Sequence, residues 1–351
     1  MNLEHLQFKD INLADPFFDS LKANYQEFPI WFAKKADDRA YVFKNDQGTI
    51  DGFLYVKVEV GPVADVAPVL PPARRLKVGT MKINAHGTKL GERFIKKIFD
   101  HAIFEKVDEV YVTVFSEHGP LIGLLERYGF RNVGTKTSKN GTEQVFVKQL
   151  RGAYEDVVRS YPLVRLSQER AYLLALYPQW HTRLLPDSIL KTEDADVVQD
   201  VSHTNSIHKV YLAAMSGMDA LKRGDVLLIY RTSDQQGPAH YRSVATSACV
   251  VEEYRPIYSF KTQEDFLAYC RPYSVFEEHE LLGFWKHKKY PHVIRFTYNI
   301  ALKKRVTRKV MIEELGLEGN VRWGFLPLSH KQFLNVLRKG LVDESLVVNK
   351  A

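Results

Sequence analysis

The stretch from Leu76 to Phe99, LKVGTMKINAHGTKLGERFIKKIF, constrains the fold more than any other part of this chain. Leu76, Val78, Met81 and Ile83 supply the apolar content of a strand, the pattern breaks over Asn84 to Gly91, and Phe94, Ile95, Ile98 and Phe99 then recur at helical spacing. A strand feeding a glycine-containing turn at a helix N-terminus exposes unpaired backbone N–H groups and the positive end of the helix dipole. That combination suits a phosphate.

The flanking residues extend the pattern. Asp15-Pro16 reads as an N-cap followed by proline at the first helical position, with Phe17, Phe18, Leu21 and Tyr25 as an apolar stripe. A second short helix falls around Pro29 to Lys35. Ala40 to Lys44 and Phe53 to Val60 alternate as strands around the turn Asn45 to Gly48, a β-hairpin. Pro62, Pro68, Pro71 and Pro72 mark Gly61 to Ala73 as a loop. After the central helix, which runs to about Glu105, Glu109 to Phe115 is a strand. Pro120 to Tyr128 is a short helix closed by Gly129, and Phe130 to Leu150 gives two strands around Lys139-Asn140-Gly141. The order predicts an α/β domain with one mixed sheet over about residues 1–150.

This order, with a glycine turn after the central strand and a helix ending in ERYGF, resembles the GNAT-type N-acyltransferases, which use acyl-coenzyme A. The family's turn, R/Q-x-x-G-x-G/A, falls on His86, Gly87, Thr88, Lys89, Leu90 and Gly91. Gly91 matches its last small position, while His86 stands in place of Arg or Gln and Lys89 in place of glycine. The resemblance implies that these residues, with Arg93, hold the pyrophosphate of acetyl-CoA as acyl donor. It also implies that a backbone N–H of the strand around Gly79 to Ile83 polarises the acyl carbonyl. The family's thiolate-protonating tyrosine is replaced by Leu125, which leaves Tyr128 and His118 as candidate acids, and Glu59 is a candidate base. An acceptor α-amine with a pKa near 8 needs no dedicated base.

Residues 151–190 read as a helical connector, with apolar spacing over Ala153 to Arg159 and Gln168 to Leu176. Beyond it, residues 191–351 read as α+β: strands around Ser206 to Met215, VLLIY after Gly224-Asp225, Val244 to Glu252, Pro291 to Tyr298 and Ala301 to Val310. Helices fall at Gln263 to Cys270, Phe276 to Leu281 and Lys331 to Lys339. A small curved sheet or partly open barrel is expected. RGDVLLIYRT and the terminal LS-x-x-Q-F helix are similar to the PUA-like superfamily with its ASCH and EVE groups, over about residues 190–345. That likeness implies binding of RNA or modified bases.

The residues themselves add basic–aromatic clusters: Lys303, Lys304, Arg305, Arg308 and Lys309; Lys286, Lys288 and Lys289 beside Trp285 and Tyr290; and Arg322 with Trp323. His208 and Lys209 on an early strand are candidates for a base pocket. The same residues also suit a solvated lysine-rich face over core tryptophans. The net charge of +7 divides as +2 over residues 1–150 and +5 over 151–351, which permits a polyanionic partner.

Only two cysteines occur, Cys249 and Cys270, and His279, His287 and His292 lack ligand spacing, so no metal is expected. No apolar run reaches 18 residues and the N-terminus has no secretory pattern, so a cytoplasmic protein without a membrane partner is expected. Three functions remain open. One is acetyl transfer to an RNA-linked amine (tRNA or aminoacyl-tRNA) recruited by the second half. Another is acetyl transfer to a protein or small-molecule amine. The third is a non-catalytic coenzyme or nucleotide sensor coupled to RNA binding.

Overall fold

The computed structural model describes residues 2–84, 89–152, 154, 156–166, 170–188 and 206–348. The chain forms two compact units, Met1–Gly152 and Ala153–Ala351, and its class is mixed α/β.

In the first unit a seven-stranded sheet runs in the order β1-β2-β3-β4-β5-β7-β6. Its strands are β1 (Asn2–Gln7), β2 (Arg39–Lys44), β3 (Ile50–Val63), β4 (Leu70–Ile83), β5 (Glu109–Phe115), β6 (Arg131–Ser138) and β7 (Gly141–Gln149). All neighbours are antiparallel except β4 and β5, joined by the crossover helix α3 (Leu90–Phe104). Phe94, Ile95, Ile98 and Phe99 of α3 have no exposed surface, each burial contributing about 1.5–3 kcal/mol. Gly52 of β3 lets the helix approach, since a Cβ there would lie 2.8 Å from the Phe94 ring. The helices α1 (Asp19–Asn24) and α2 (Phe28–Lys34) close over an aromatic core of Phe8, Phe18, Phe28, Phe32, Phe53 and Tyr55, and Asp15 caps their approach by accepting from the Phe17 N–H at 2.8 Å. Helix α4 (Gly119–Arg127) ends as expected before Gly129, whose φ is +83°.

Two features differ from expectation. β1 adds an edge strand that the residues NLEHLQ do not announce. The proline-rich segment is the far end of a long β3–β4 hairpin, with Pro71 and Pro72 inside β4. They are tolerated because β5 pairs with β4 only from Arg75 onward and the β3 register shifts between Gly61 and Val63, so their missing N–H groups interrupt no complete ladder.

The second unit holds α5 (Val157–Ser160), β8 (Val164–Arg165), β9 (Ala171–Leu176), α6 (Pro178–Leu184), β10 (His208–Ala213), β11 (Val226–Arg231), α7 (Ala239–Arg242) and β12 (Val244–Pro256). There follow α8 (Gln263–Cys270), α9 (Glu278–His287), β13 (His292–Thr307), α10 (Arg308–Glu313), β14 (Phe325–Leu328), α11 (His330–Lys339) and β15 (Val347–Val348). Its six-stranded sheet runs β10-β13-β12-β11-β9-β14.

The helical reading of Gln168 to Leu176 is therefore corrected. AYLLAL is a strand between β11 and β14, and its near-continuous apolar run serves burial on both faces. The two strands expected over Pro291 to Val310 are one strand, β13. Its end turns into α10 because the Thr307 side chain caps the Val310 N–H at 3.4 Å.

Candidate active site

β4 and β5 pair in parallel only over Arg75–Val78 and Glu109–Val112. Beyond that point β4 continues to Ile83 and β5 to Phe115 without pairing to each other, and a cavity of about 840 Å³ opens between them. Val78 to Ile83 line one side and Val112 to Phe115 the other, with Leu121 and Leu124 of α4, Gly91 of α3, and Tyr25, Phe28 and Trp31 closing the rest. Two strand edges thus face a cavity instead of each other, and their peptide groups are donors and acceptors for an extended amide chain.

Local sequence explains the opening. Gly79 is the extra residue of a β-bulge, since Val56 pairs with Val78 and Tyr55 with Thr80. The Tyr55 ring fills the space above it, with its Cδ1 2.7 Å from where a Gly79 Cβ would sit. At the end of the cavity α3 begins at Leu90, and the side chain of its N-cap residue, Lys89, does not cap the first N–H groups. Its N-cap residue Lys89 has φ +53°, the left-handed conformation that glycine takes without cost. Gly91 is held against α4, where a Cβ would meet Leu124 at 2.8 Å.

Sheet register sorts the polar side chains. Lys57 pairs with Lys77, Lys77 with Tyr111, Phe115 with Glu143, and Glu143 with Lys136, so these residues share the face that carries α1 and α2. Glu143 accepts from the Thr113 hydroxyl at 3.1 Å. Tyr25 lies between Glu143, Glu117 and Glu27; burial first, then these carboxylates, push its phenol up to about 12, so it keeps its proton at neutral pH. Tyr25, Glu143 and Lys77 line the cavity and are absent from the sequence-based candidates.

Of the sequence candidates, Ile83, Gly91 and His118 line the cavity. His86, Gly87 and Thr88 lie outside the described residues. Leu90 is buried in the core, and Lys89 stands at the helix start. Arg93 is 1% exposed with its guanidinium 4.1 Å over the Phe43 ring, a core position rather than one on the open helix end. Tyr128 is fully buried and does not reach the cavity. Glu59 is committed elsewhere: it accepts from the Tyr111 hydroxyl and pairs with Lys57 at 2.5 Å. Burial raises its pKa, and the Lys57 and Tyr111 hydrogen bonds with the lysine charges more than offset that, holding it below the usual carboxylate range. A base so stabilised as its anion is a weak one.

In the second unit the basic–aromatic candidates separate into exposed and enclosed. Lys286, Lys289, Lys303, Lys304 and Arg322 are exposed. Lys288 lies 2.9 Å over the Trp285 ring and Lys289 5.6 Å over Tyr290. Arg305 donates to the Leu302 carbonyl, Arg308 to the Gly319 carbonyl at 3.2 Å, and Lys309 lies 3.9 Å from Glu313.

Three candidates are corrected. His208 is fully buried and bonded to Glu252, and Lys209 is fully buried, its ammonium 5.9 Å over Tyr298. Trp323 is 5% exposed, sits between Arg308 and Tyr230, and donates its indole N–H to the Glu318 carbonyl at 2.8 Å. None of the three offers a free face to a base, because both strand and ring are used to close the core.

No family model and no curated protein sequence matches the chain. Among solved structures it is similar to a putative phosphinothricin N-acetyltransferase, at 14% identity over 42% of this chain and 97% of that one, with a TM-score of 0.33. A spermidine N-acetyltransferase of Vibrio cholerae matches at 14% identity over 42% and 91%, with a TM-score of 0.30. An ASCH protein of Zymomonas mobilis matches at 6% identity over 50% and 99%, with a TM-score of 0.32. Likenesses at such identities and TM-scores carry no functional argument, and the cavity itself must supply one.

Proposed function

We propose that the first unit is an N-acyltransferase that moves an acetyl group from acetyl-CoA to an amine. The observation that carries this reading is the parting of β4 and β5, which opens two strand edges into a cavity that ends at the start of α3. Acetyl-CoA supplies the acyl carbonyl and a thiolate leaving group. The edge of β4 from Gly79 to Ile83 offers peptide groups to the pantetheine amides and to the carbonyl. The N-terminus of α3, with Lys89 and Gly91, suits the pyrophosphate. Glu143, held by Thr113, is a carboxylate on the cavity wall that can take the acceptor's proton, and His118 is the candidate acid on that wall.

The acceptor divides the reading. An RNA-linked amine draws support from the exposed Lys286, Lys289, Lys303, Lys304 and Arg322; a small-molecule amine draws support from the charges within the cavity. The buried free thiols Cys249 and Cys270 are compatible with a cytoplasmic setting.

Acetyl-CoA should raise the melting temperature of the full chain, and Gly91→Glu, which drives a charged side chain into Leu124 and the helix start, should abolish the rise. No rise at millimolar coenzyme sinks the proposal. With radiolabelled acetyl-CoA and a cell extract, RNase-sensitive label identifies an RNA acceptor and dialysable label a small one. Coenzyme binding without any label supports the sensor.

A further inference from the structure

The cavity carries a charge arrangement that acyl transfer alone does not require. Lys57 and Lys77 stand directly opposite each other on β3 and β4, and both residues line the cavity. Like charges in that position oppose sheet formation. The carboxylate between them is Glu59, and it is divided unequally: its Oε1 lies 2.5 Å from the Lys57 ammonium and 3.9 Å from that of Lys77, while its Oε2 accepts from Tyr111. Three further lysines line the wall: Lys136 is partnered by Asp65 at 2.6 Å, Lys35 by Asp38 at 3.0 Å, and Lys82 donates to the Phe17 carbonyl and the Ser20 hydroxyl.

Of the four ion-paired lysines of the wall Lys77 has the most distant carboxylate, at 3.9 Å, and its ammonium otherwise meets the Tyr111 ring at 5.4 Å, although its side chain is only 18% exposed. Burial lowers its pKa, and the charges of Lys136 and Lys57 add to that against the pull of Glu59 and Asp65. A buried ammonium with an incomplete partner set is costly unless an anion arrives to complete it. The cavity gives such an anion a route in.

Four residues further along β5, roughly 13 Å by strand rise, Phe115 stands opposite Glu143 of β7, which shares the face of Lys77 two strands away. A molecule with an ammonium at one end and an oxyanion at the other matches both signs.

We infer that Lys77, assisted by Lys57, forms an oxyanion subsite, and that the acceptor is a small amine bearing a carboxylate or phosphonate. That the subsite serves an acceptor rests on the acyltransferase reading; the subsite itself does not. An oxyanion reaching Lys77 has two sources, the acid group of the acceptor and a phosphate of the coenzyme, and the experiment separates them.

Full-length protein is titrated with inorganic phosphate against sodium chloride of equal ionic strength, with melting temperature as the readout. The wild type should be raised by phosphate beyond the salt control, Lys77→Met should lose that excess, and Lys77→Arg should keep it. Equal responses of wild type and Lys77→Met, with unchanged far-ultraviolet circular dichroism, overturn the subsite. Saturating coenzyme A should leave the phosphate response in place. Its disappearance assigns the anion to the donor and overturns the acceptor class.

In acetyl transfer, 4-aminobutyrate and 3-aminopropylphosphonate are compared with butylamine. Lys77→Met should raise KM about 10- to 100-fold for the two acids, the scale of one lost charge-assisted hydrogen bond, and leave butylamine within about twofold. An equal loss for all three amines overturns the assignment. A lysine-dependent phosphate response in a protein that never transfers acetyl refutes the acyltransferase reading and leaves the subsite standing.

Discussion

Gly79→Ala tests the geometry on which the cavity depends. The new Cβ would lie 2.7 Å from Cδ1 and 3.1 Å from Cε1 of Tyr55. Ordinary carbon contacts need about 3.5–4.0 Å, so ring and strand must separate by roughly 0.9 Å. The ring has little freedom to yield. Tyr55 is 3% exposed, its hydroxyl donates to Asp38 at 2.6 Å, and its faces and edges meet Phe8 at 5.1 Å and Trp31 at 5.7 Å. Overpacking of this kind costs about 1–3 kcal/mol, and the reduced entropy of the unfolded alanine chain returns about 0.4–1 kcal/mol.

The expected net loss is about 1–2 kcal/mol, or roughly 2–8 °C in the melting of a unit this size. Trp31 is the only tryptophan of residues 1–152, so with Trp180, Trp285 and Trp323 changed to Phe its fluorescence in urea reports on that unit. In a Tyr55→Leu background the same alanine should be neutral or stabilising, a coupling of at least about 1 kcal/mol. An additive double variant, or a Gly79→Ala protein as stable as the wild type, refutes the packing described around the bulge.

Three other outcomes are expected from the charges. Lys148 is fully buried on β7, and desolvation first, then the charge of Arg131, lowers its pKa to about 7. Between there and its unfolded value near 10.4 the unfolded chain holds more protons, so stability should rise with pH across that window. Lys148→Met should flatten the slope and remove a penalty on the order of 3–5 kcal/mol at neutral pH, read by urea melts from pH 7 to 10. His181 of α6 is fully buried and bonded to the Thr246 hydroxyl at 2.8 Å; desolvation, then Arg231 and Arg305, lower its pKa to about 3. Its unfolded state takes a proton below about pH 6.5, so the second unit should lose stability on acidification from there toward pH 3, and His181→Gln should blunt that loss. Finally, if RNA binds the second unit, Lys303→Glu with Lys304→Glu should reduce the slope of log affinity against log salt by roughly 1.5–3. An unchanged slope removes this pair from any RNA interface.

The strand–turn–helix from Leu76 to Phe99 was legible because apolar spacing changes from strand to helix within one short stretch, and Asp15 and Gly129 declared their helix ends through local capping chemistry. Ala171 to Leu176 was not. Its alanine and leucines favour a helix, and only its neighbours β11 and β14, remote in sequence, make it a strand. The cavity residues escaped for a related reason. Lys77 is one charged residue between Leu76 and Val78, and its meaning comes from Lys57, Tyr111 and Glu59, which register alone brings alongside it. His208 and Trp323 resembled binding residues in composition, but burial gave each an internal partner. Lys89 works the other way: a departure from the glycine expected at its position is explained by a backbone that still has the glycine-type conformation.

The position of β9 has a consequence for the order in which the chain can acquire structure. It is the first strand of its sheet to leave the ribosome, and it is hydrogen-bonded on one side to β11 and on the other to β14, near the end of the chain. Until Phe325 to Leu328 are made, AYLLAL has at most one partner. A nascent chain therefore carries a sticky apolar strand with an open edge through most of the synthesis of that unit. The first sheet has no such debt to later residues, since all its strands lie before residue 150. A fragment beginning at residue 191 would lack β9 altogether and leave β11 and β14 without the strand that joins them.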